Sequence, residues 1–261
     1  MRTILLALAV MLAAGCYHPA TERCPDCAIM QGRHPALRRW REGTRTVYVI
    51  VPGILGYGWE WDDAVRALRE ARGVDFVVFE WNPWASLRTT ARELGDAIIA
   101  ALFTDGRVER VVVVGHSVGG MLAAQALRHV VVPEGRQLDV VTVGAPFAGM
   151  KGSETAEPDV LGAPTFLSIM SIFRDYPKPP PRTRVVTYVT SYPADPVMKP
   201  RWGQDPARPD VGPPGALRVA VDAREDHNKI VSKLVRGLLE HPFPPALLPV
   251  ASASTQPPAS P

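Results

Sequence analysis

Residues 111–120 read VVVVGHSVGG, in which four consecutive valines lead directly into the pattern Gly-x-Ser-x-Gly. A β-branched run of this kind is typical of a strand buried on both faces, and the residues that follow have helical spacing. A serine on so sharp a turn needs nearly side-chain-free positions two before and two after it, and Gly115 and Gly119 meet that need. The stretch therefore predicts a nucleophile elbow with Ser117 at its tip. The N–H of Val118 then begins a helix, where developing negative charge is stabilised.

The middle of the chain alternates between two patterns. Short β-branched runs predict strands at 46–51, 76–79, 111–114, 140–143, 185–189 and 217–221. Apolar residues at three- and four-residue spacing predict amphipathic helices at 61–72, 87–103, 119–130 and 228–240. Strands that alternate with helices form βαβ units, so the sequence predicts an α/β fold whose mostly parallel sheet is covered by helices on both faces.

A serine hydroxyl is a poor nucleophile at neutral pH, so the elbow predicts a general base and a carboxylate that orients it. After Ser117 the histidines are His129, His227 and His241. No acidic residue lies between Ser117 and His129, and His241 stands just before a proline-rich tail. We therefore predict His227 as the base, in the polar loop between the last strand and the last helix. The alternative for this residue is a solvated loop histidine.

Three aspartates are candidates for the orienting carboxylate. Asp195 follows the strand at 185–189, and a loop carboxylate at the carboxyl end of a strand is well placed to meet the histidine. Asp222 and Asp226 remain alternatives. We favour Asp195 because a close sequence neighbour of His227 seldom points at the ring nitrogen that faces away from the serine.

An oxyanion hole needs a second donor besides the N–H of Val118, from the loop after an early strand. The strand at 46–51 runs into PGILGYG at residues 52–58, whose glycines allow backbone N–H groups to face the site. Ile54 is the predicted donor. The alternative is a plain glycine-rich turn.

Three segments together resemble the lipase branch of the α/β-hydrolases: VPGILG at 51–56, GHSVGG at 115–120 and GAPFAG at 144–149. Many members of that branch have His-Gly where this chain has Pro-Gly. The proline form, with the Gly-Ala-Pro segment, is similar to lecithin-cholesterol acyltransferase and related lipases. The resemblance spans roughly residues 44–240 and is weakest around the acid.

This resemblance implies that Ser117, Asp195 and His227 form a catalytic triad, with Ile54 and Val118 as the oxyanion donors. It also implies that the substrate is a carboxylic or lipid ester, cleaved through an acyl-enzyme, and that no cofactor or metal is needed. An acyltransferase with an alcohol acceptor and an inactive lipid-anchored binding protein on the same scaffold remain alternatives. Thioesterase or amidase activity also remains open, because fold and triad do not fix the leaving group.

The amino terminus has the pattern of an export signal. Residues 1–15 contain Arg2 and an apolar run at 4–14 that is too short to span a bilayer but suits a signal-peptide core. The sequence LAAGC at 12–16 resembles a bacterial lipobox, which predicts that Cys16 is lipid-modified and anchors the exported protein to a membrane of the bacterial cell envelope. The alternative is secretion after cleavage near Ala14.

The remaining segments give domain limits. Residues 16–43 are predicted to be a polar tether and 44–241 a catalytic domain, in which 147–183 is either a lid or an extra packed helix. Residues 242–261 are predicted to be a disordered tail. Cys24 and Cys27 favour a local disulfide in an exported protein, against the alternatives of a redox pair or a zinc site. The net charge of +3 is small and the basic residues are scattered, so no nucleic-acid partner is expected.

Overall fold

The computed structural model describes residues 19–31, 40–54, 56–103, 105–147, 176–190, 212–221 and 228–240. The strands in these ranges are β1 (Ile29–Gln31), β2 (Thr46–Val51), β3 (Val74–Glu80), β4 (Arg110–His116), β5 (Gln137–Val143), β6 (Thr183–Val189) and β7 (Leu217–Ala220). They form one sheet in the order β1-β3-β2-β4-β5-β6-β7, and every neighbouring pair is parallel. The predicted α/β fold with a parallel sheet is therefore confirmed.

Of the helices in the described ranges, the first precedes the first strand, the last follows the last strand, and the others lie between strands. They are α1 (Ala20–Arg23), α2 (Asp62–Glu70), α3 (Leu87–Phe103), α4 (Val118–Ala126) and α5 (Lys229–Glu240), with single 3₁₀ turns at Trp59–Trp61 and Leu127–His129. The helix predicted at 119–130 is shorter than expected, because its last turn tightens into the second 3₁₀ turn. None of these helices has the length and apolar character that crossing a membrane requires.

The central strand β4 shows how the sheet is covered on both faces. Val111 and Val113 pack into the cluster formed with α3 and α4, whereas Val112 and Val114 pack into the cluster formed with α2 and α5. All four valines are fully buried. Burying each of them stabilises the fold by roughly 1.5–3 kcal/mol, so this run fixes β4 as the centre of the core.

Part of the segment predicted to be a tether contributes to the sheet instead. Within 16–43, α1 and β1 are folded, and β1 pairs with β3 at the edge of the sheet. The predicted disulfide between Cys24 and Cys27 is confirmed. Both cysteines are buried, and the Arg69 guanidinium of α2 lies 3.2 Å from Sγ of Cys24. A three-residue strand is too short to show a periodic pattern, which explains why the sequence did not predict it.

Several predictions concern residues outside the described ranges. These are the signal peptide with Cys16, most of the 147–183 segment, and the tail. At the two described ends of the interval 148–175, the rings of Phe147 and Tyr176 pack edge to face with centroids 5.0 Å apart. Phe147 and Tyr176 therefore lie in one buried cluster with Met121 of α4.

Candidate active site

Ser117 lies on a strained turn between β4 and α4. Its backbone has φ 52° and ψ −124°. Among the described residues, Arg182 is the only other non-glycine residue with a positive φ. Such a conformation is costly for a residue with a side chain and persists only where the surroundings enforce it. Here the N–H of Ser117 donates to the carbonyl of Val143 on β5 at 2.8 Å. The predicted elbow geometry is present.

The two glycines of the elbow are required by close contacts between backbones. A Cβ on Gly115 would lie 2.6 Å from the carbonyl oxygen of Gly119. A Cβ on Gly119 would lie 2.2 Å from the carbonyl oxygen of Val51 and 2.4 Å from that of Pro52. Strand, helix and the neighbouring loop therefore approach too closely for any side chain, as the sequence pattern predicted.

The loop that follows β2 lies beside the serine. A Cβ on Gly53 would be 3.4 Å from Cβ of Ser117. The indole Nε1 of Trp81 donates to the carbonyl of Pro52 at 3.0 Å and fixes the loop from the side of β3. We call residues 52–54 the oxyanion loop. Ile54 belongs to this loop, and Val118 is the first residue of α4. The elements that carry the two predicted donors therefore meet at Ser117. The donor roles themselves stay predictions.

Three buried residues were not predicted: His116, which directly precedes Ser117, and Glu60 and Trp61, which adjoin His116. His116 is 3% exposed, and its Nδ1 lies 4.0 Å from Oε1 of Glu60. Trp61 packs edge to face against the His116 ring, with centroids 6.4 Å apart. The available signal was the sequence WEW at 59–61, a carboxylate between two tryptophans directly after a glycine-rich loop.

Asp195, His227 and Cys16 lie outside the described residues, so the triad and the lipid attachment stay predictions. The strands that precede the two triad residues are nevertheless described. The N–H of Val221, which follows β7, donates to the carbonyl of Val189 at the end of β6 at 2.9 Å. Strands β6 and β7 therefore end side by side at the carboxyl edge of the sheet, the edge at which β4 ends in the elbow.

The first turn of α5 is tied to the same region. The hydroxyl of Ser232 donates to the carbonyl oxygen of Glu60 at 2.7 Å, and the Glu60 side chain faces His116, the neighbour of Ser117. A chain of contacts thus connects the elbow to the helix that begins at Lys229, two residues after His227.

Burial keeps the phenol of Tyr57 neutral at this edge. It raises the pKa of Tyr57 well above its usual value, and the carboxylates of Asp62 and Glu60 raise it further, while Arg69 opposes them.

Across the ranges that the structure describes, no three His, Cys, Asp or Glu side chains group together as a metal ion would require. That the reaction needs no cofactor stays a prediction.

Comparisons with known proteins agree with this architecture. A model described as Alpha/beta hydrolase family matches residues 48–254. No curated protein sequence matches the chain significantly.

Two solved structures illustrate the likeness of fold. A metagenomic carboxyl esterase is 15% identical, with a TM-score of 0.50 over 79% of this chain and 80% of that one. The mature form of the Bacillus licheniformis lipase BlEst2 is 16% identical, with a TM-score of 0.51 over 77% of this chain and 94% of that one. At such identities the likeness extends to the fold.

Proposed function

Because this chain belongs to the Alpha/beta hydrolase family, we propose that it is a serine hydrolase that cleaves carboxylic ester bonds. The observation that carries the proposal is the strained backbone of Ser117, held at the carboxyl end of β4 between the start of α4 and the oxyanion loop. Strain in the backbone of a residue with a side chain is otherwise costly, and a reactive hydroxyl gives it a purpose.

The proposed reaction proceeds in two steps. His227 accepts the proton of the Ser117 hydroxyl while the oxygen attacks the ester carbonyl, and Asp195 holds the ring of His227 in orientation. The oxyanion accepts hydrogen bonds from the N–H groups of Ile54 and Val118. His227 then protonates the leaving alcohol, and a water activated by the same ring releases the acid from the acyl-enzyme.

The described contacts support this choice of residues. Strands β6 and β7, which precede Asp195 and His227 in the sequence, both end at the elbow edge, where Val189 and Val221 are hydrogen-bonded. The start of α5 is held near the elbow through Ser232 and Glu60. Because His227 stands two residues before that helix in the sequence, these contacts support its proposed role as the base.

An ester substrate fits the available likenesses better than the other candidates. The three segments at 51–56, 115–120 and 144–149 resemble lipases, and two of the solved structures that share the fold are an esterase and a lipase. An acyltransferase remains the second candidate because it uses the same acyl-enzyme. Product analysis with added alcohol separates the two, since a transferase forms a new ester and a hydrolase forms the free acid.

We further propose that Cys16 carries the lipid anchor and that the enzyme acts at a membrane of the cell envelope, where the substrate is a lipid or small-molecule ester. The support is the lipobox-like sequence at 12–16. Expression of the full chain with an alkyne-labelled fatty acid tests this. Wild-type protein should incorporate the label and remain with the membranes, whereas Cys16→Ala should do neither; equal labelling of both would contradict the proposal.

The activity is tested with p-nitrophenyl esters of increasing chain length. Ser117→Ala is expected to lower kcat by about 10³-fold or more, because the nucleophile is lost while the fold is kept. Ser254→Ala, in the predicted tail, is the matched serine control and should retain wild-type kcat. Equal thermal unfolding of the three proteins shows that the fold is intact, and wild-type turnover in Ser117→Ala would reject the proposal.

A further inference from the structure

We infer that Glu60 is a positioning residue: its buried carboxylate, through the ring of His116, holds the oxyanion loop against the elbow. The inference rests on the proposed function, since an oxyanion loop has a role only where an acyl group is transferred. Neither Glu60 nor His116 belongs to the predicted triad.

Glu60 is placed as a buried charge rather than as a surface residue. It lies in the 3₁₀ turn Trp59–Trp61 and is only 9% exposed. Its carboxylate folds back over Gly58, so closely that a Cβ on Gly58 would be 2.1 Å from Oε2 and 2.9 Å from Oε1. Burying a carboxylate is costly unless polar or cationic groups compensate it, and this carboxylate lies next to the ring of His116.

The His116 ring connects this carboxylate to the oxyanion loop. Its Nδ1 lies 4.0 Å from Oε1 of Glu60, and a Cβ on Gly53 would be 3.6 Å from the same nitrogen. Trp61, which is fully buried, packs edge to face with the same ring. Glu60, Trp61 and the oxyanion loop are therefore all neighbours of this ring.

At 4.0 Å the carboxylate is beyond hydrogen-bond distance of Nδ1, so it acts on the ring through the field of its charge. Both the ring orientation and the position of Gly53 then depend on the charge of Glu60. Oxyanion donors stabilise a transition state only when they are aimed at the developing charge. A displacement of a donor by about 1 Å therefore lowers the rate of the chemical step. Loss of the Glu60 charge should therefore act on kcat rather than on substrate binding.

Two variants remove the carboxylate from His116 by different routes. Glu60→Gln keeps the shape and the backbone carbonyl that accepts from Ser232 but removes the charge. Gly58→Ala leaves Glu60 unchanged but places a methyl group where its carboxylate lies, and the carboxylate is the flexible end of a side chain that can move away. Gly58 has an extended backbone with φ −107° and ψ 179°, which alanine adopts without strain.

The measurements are kcat and KM for p-nitrophenyl butyrate, and the affinity of an aryl boronic acid, which forms a tetrahedral anion on the serine. Both variants are expected to lower kcat about 10-fold with KM within about 2-fold, and to weaken boronate binding by the same factor as kcat. Glu60→Asp, which keeps the charge, is expected to retain more of kcat than Glu60→Gln. The matched controls are Glu70→Gln at the end of α2 and Gly237→Ala in α5, where a Cβ meets no atom within 4 Å; both should behave as wild type.

Two results would overturn the inference. One is an unchanged kcat in folded Gly58→Ala or Glu60→Gln, and the other is an increase in KM with no change in kcat. If Glu60→Gln does not fold, Gly58→Ala alone decides. Failure of the proposed function is recognised separately, because then Ser117→Ala keeps its activity; when Ser117→Ala is inactive and the Glu60 variants turn over normally, only the positioning role is rejected.

Discussion

Gly119 and Val51 approach so closely that a Cβ on the glycine would lie 2.2 Å from the valine carbonyl oxygen. This contact joins the first turn of α4 to the end of β2 and brings the oxyanion loop next to Ser117. Backbone atoms on both sides cannot move away as a side chain can. The spacing of strand, helix and loop at the elbow therefore depends on the absence of a side chain at position 119.

We predict that Gly119→Ala destabilises the protein by about 3 kcal/mol or more, because the clash forces the backbone of the core to shift. Urea unfolding followed by circular dichroism measures this. Gly237→Ala is the control, since an added Cβ there meets open space and alanine is the better helix former by about 0.5–1 kcal/mol. Equal stability of Gly119→Ala and wild type would contradict the described contact.

The assignment of His227 as the general base predicts that His227→Ala lowers kcat about 10³-fold or more, since Ser117 then lacks a proton acceptor. His241→Ala is the matched control, and it should turn over p-nitrophenyl butyrate at the wild-type rate. A reversed pattern, with His241→Ala inactive and His227→Ala active, would transfer the role of base to His241.

The orienting acid is predicted to be Asp195 rather than Asp222 or Asp226. Replacing it by asparagine keeps the shape of the side chain but removes the charge that stabilises the imidazolium, so Asp195→Asn should lose activity by about 10²–10⁴-fold. Asp222→Asn and Asp226→Asn, measured alongside, should lose less than about 5-fold. Should one of these two show the large loss instead, that residue is the acid.

The disulfide between Cys24 and Cys27 closes a very short loop, and such a cross-link stabilises mainly by restricting the unfolded chain. Loss of a cross-link that closes so short a loop is expected to lower the free energy of unfolding by about 2 kcal/mol. We predict this loss for the double variant Cys24→Ser and Cys27→Ser, measured by urea unfolding. Added dithiothreitol should lower the stability of the wild type by the same amount and leave the double variant unchanged; no effect in either case would show that the cross-link does not stabilise the fold.

The central part of the fold could be predicted because each of its strands is buried on both faces. The run at 46–51 coincides with β2, and the valines at 111–114 lie within β4. The elbow was predictable for a different reason: Gly115 and Gly119 are imposed by backbone contacts that no other residue allows. A local pattern was enough in both cases.

Features that depend on distant contacts could not be predicted. Strand β1 has three residues, and its place at the sheet edge depends on β3, more than forty residues later. Glu60 looked like an ordinary charged residue in the sequence, because its burial results from Gly58, His116 and the α5 helix meeting in space. Hydrophobic periodicity carries no information on such contacts between distant segments.

The most direct test of the central claim is to locate a mechanism-based label. The purified chain is treated with a fluorophosphonate, digested, and analysed by tandem mass spectrometry. We predict one phosphonyl group per chain, attached to the oxygen of Ser117, and none in Ser117→Ala. Labelling of another residue at the same rate, or an unlabelled enzyme that still hydrolyses esters, would contradict the account.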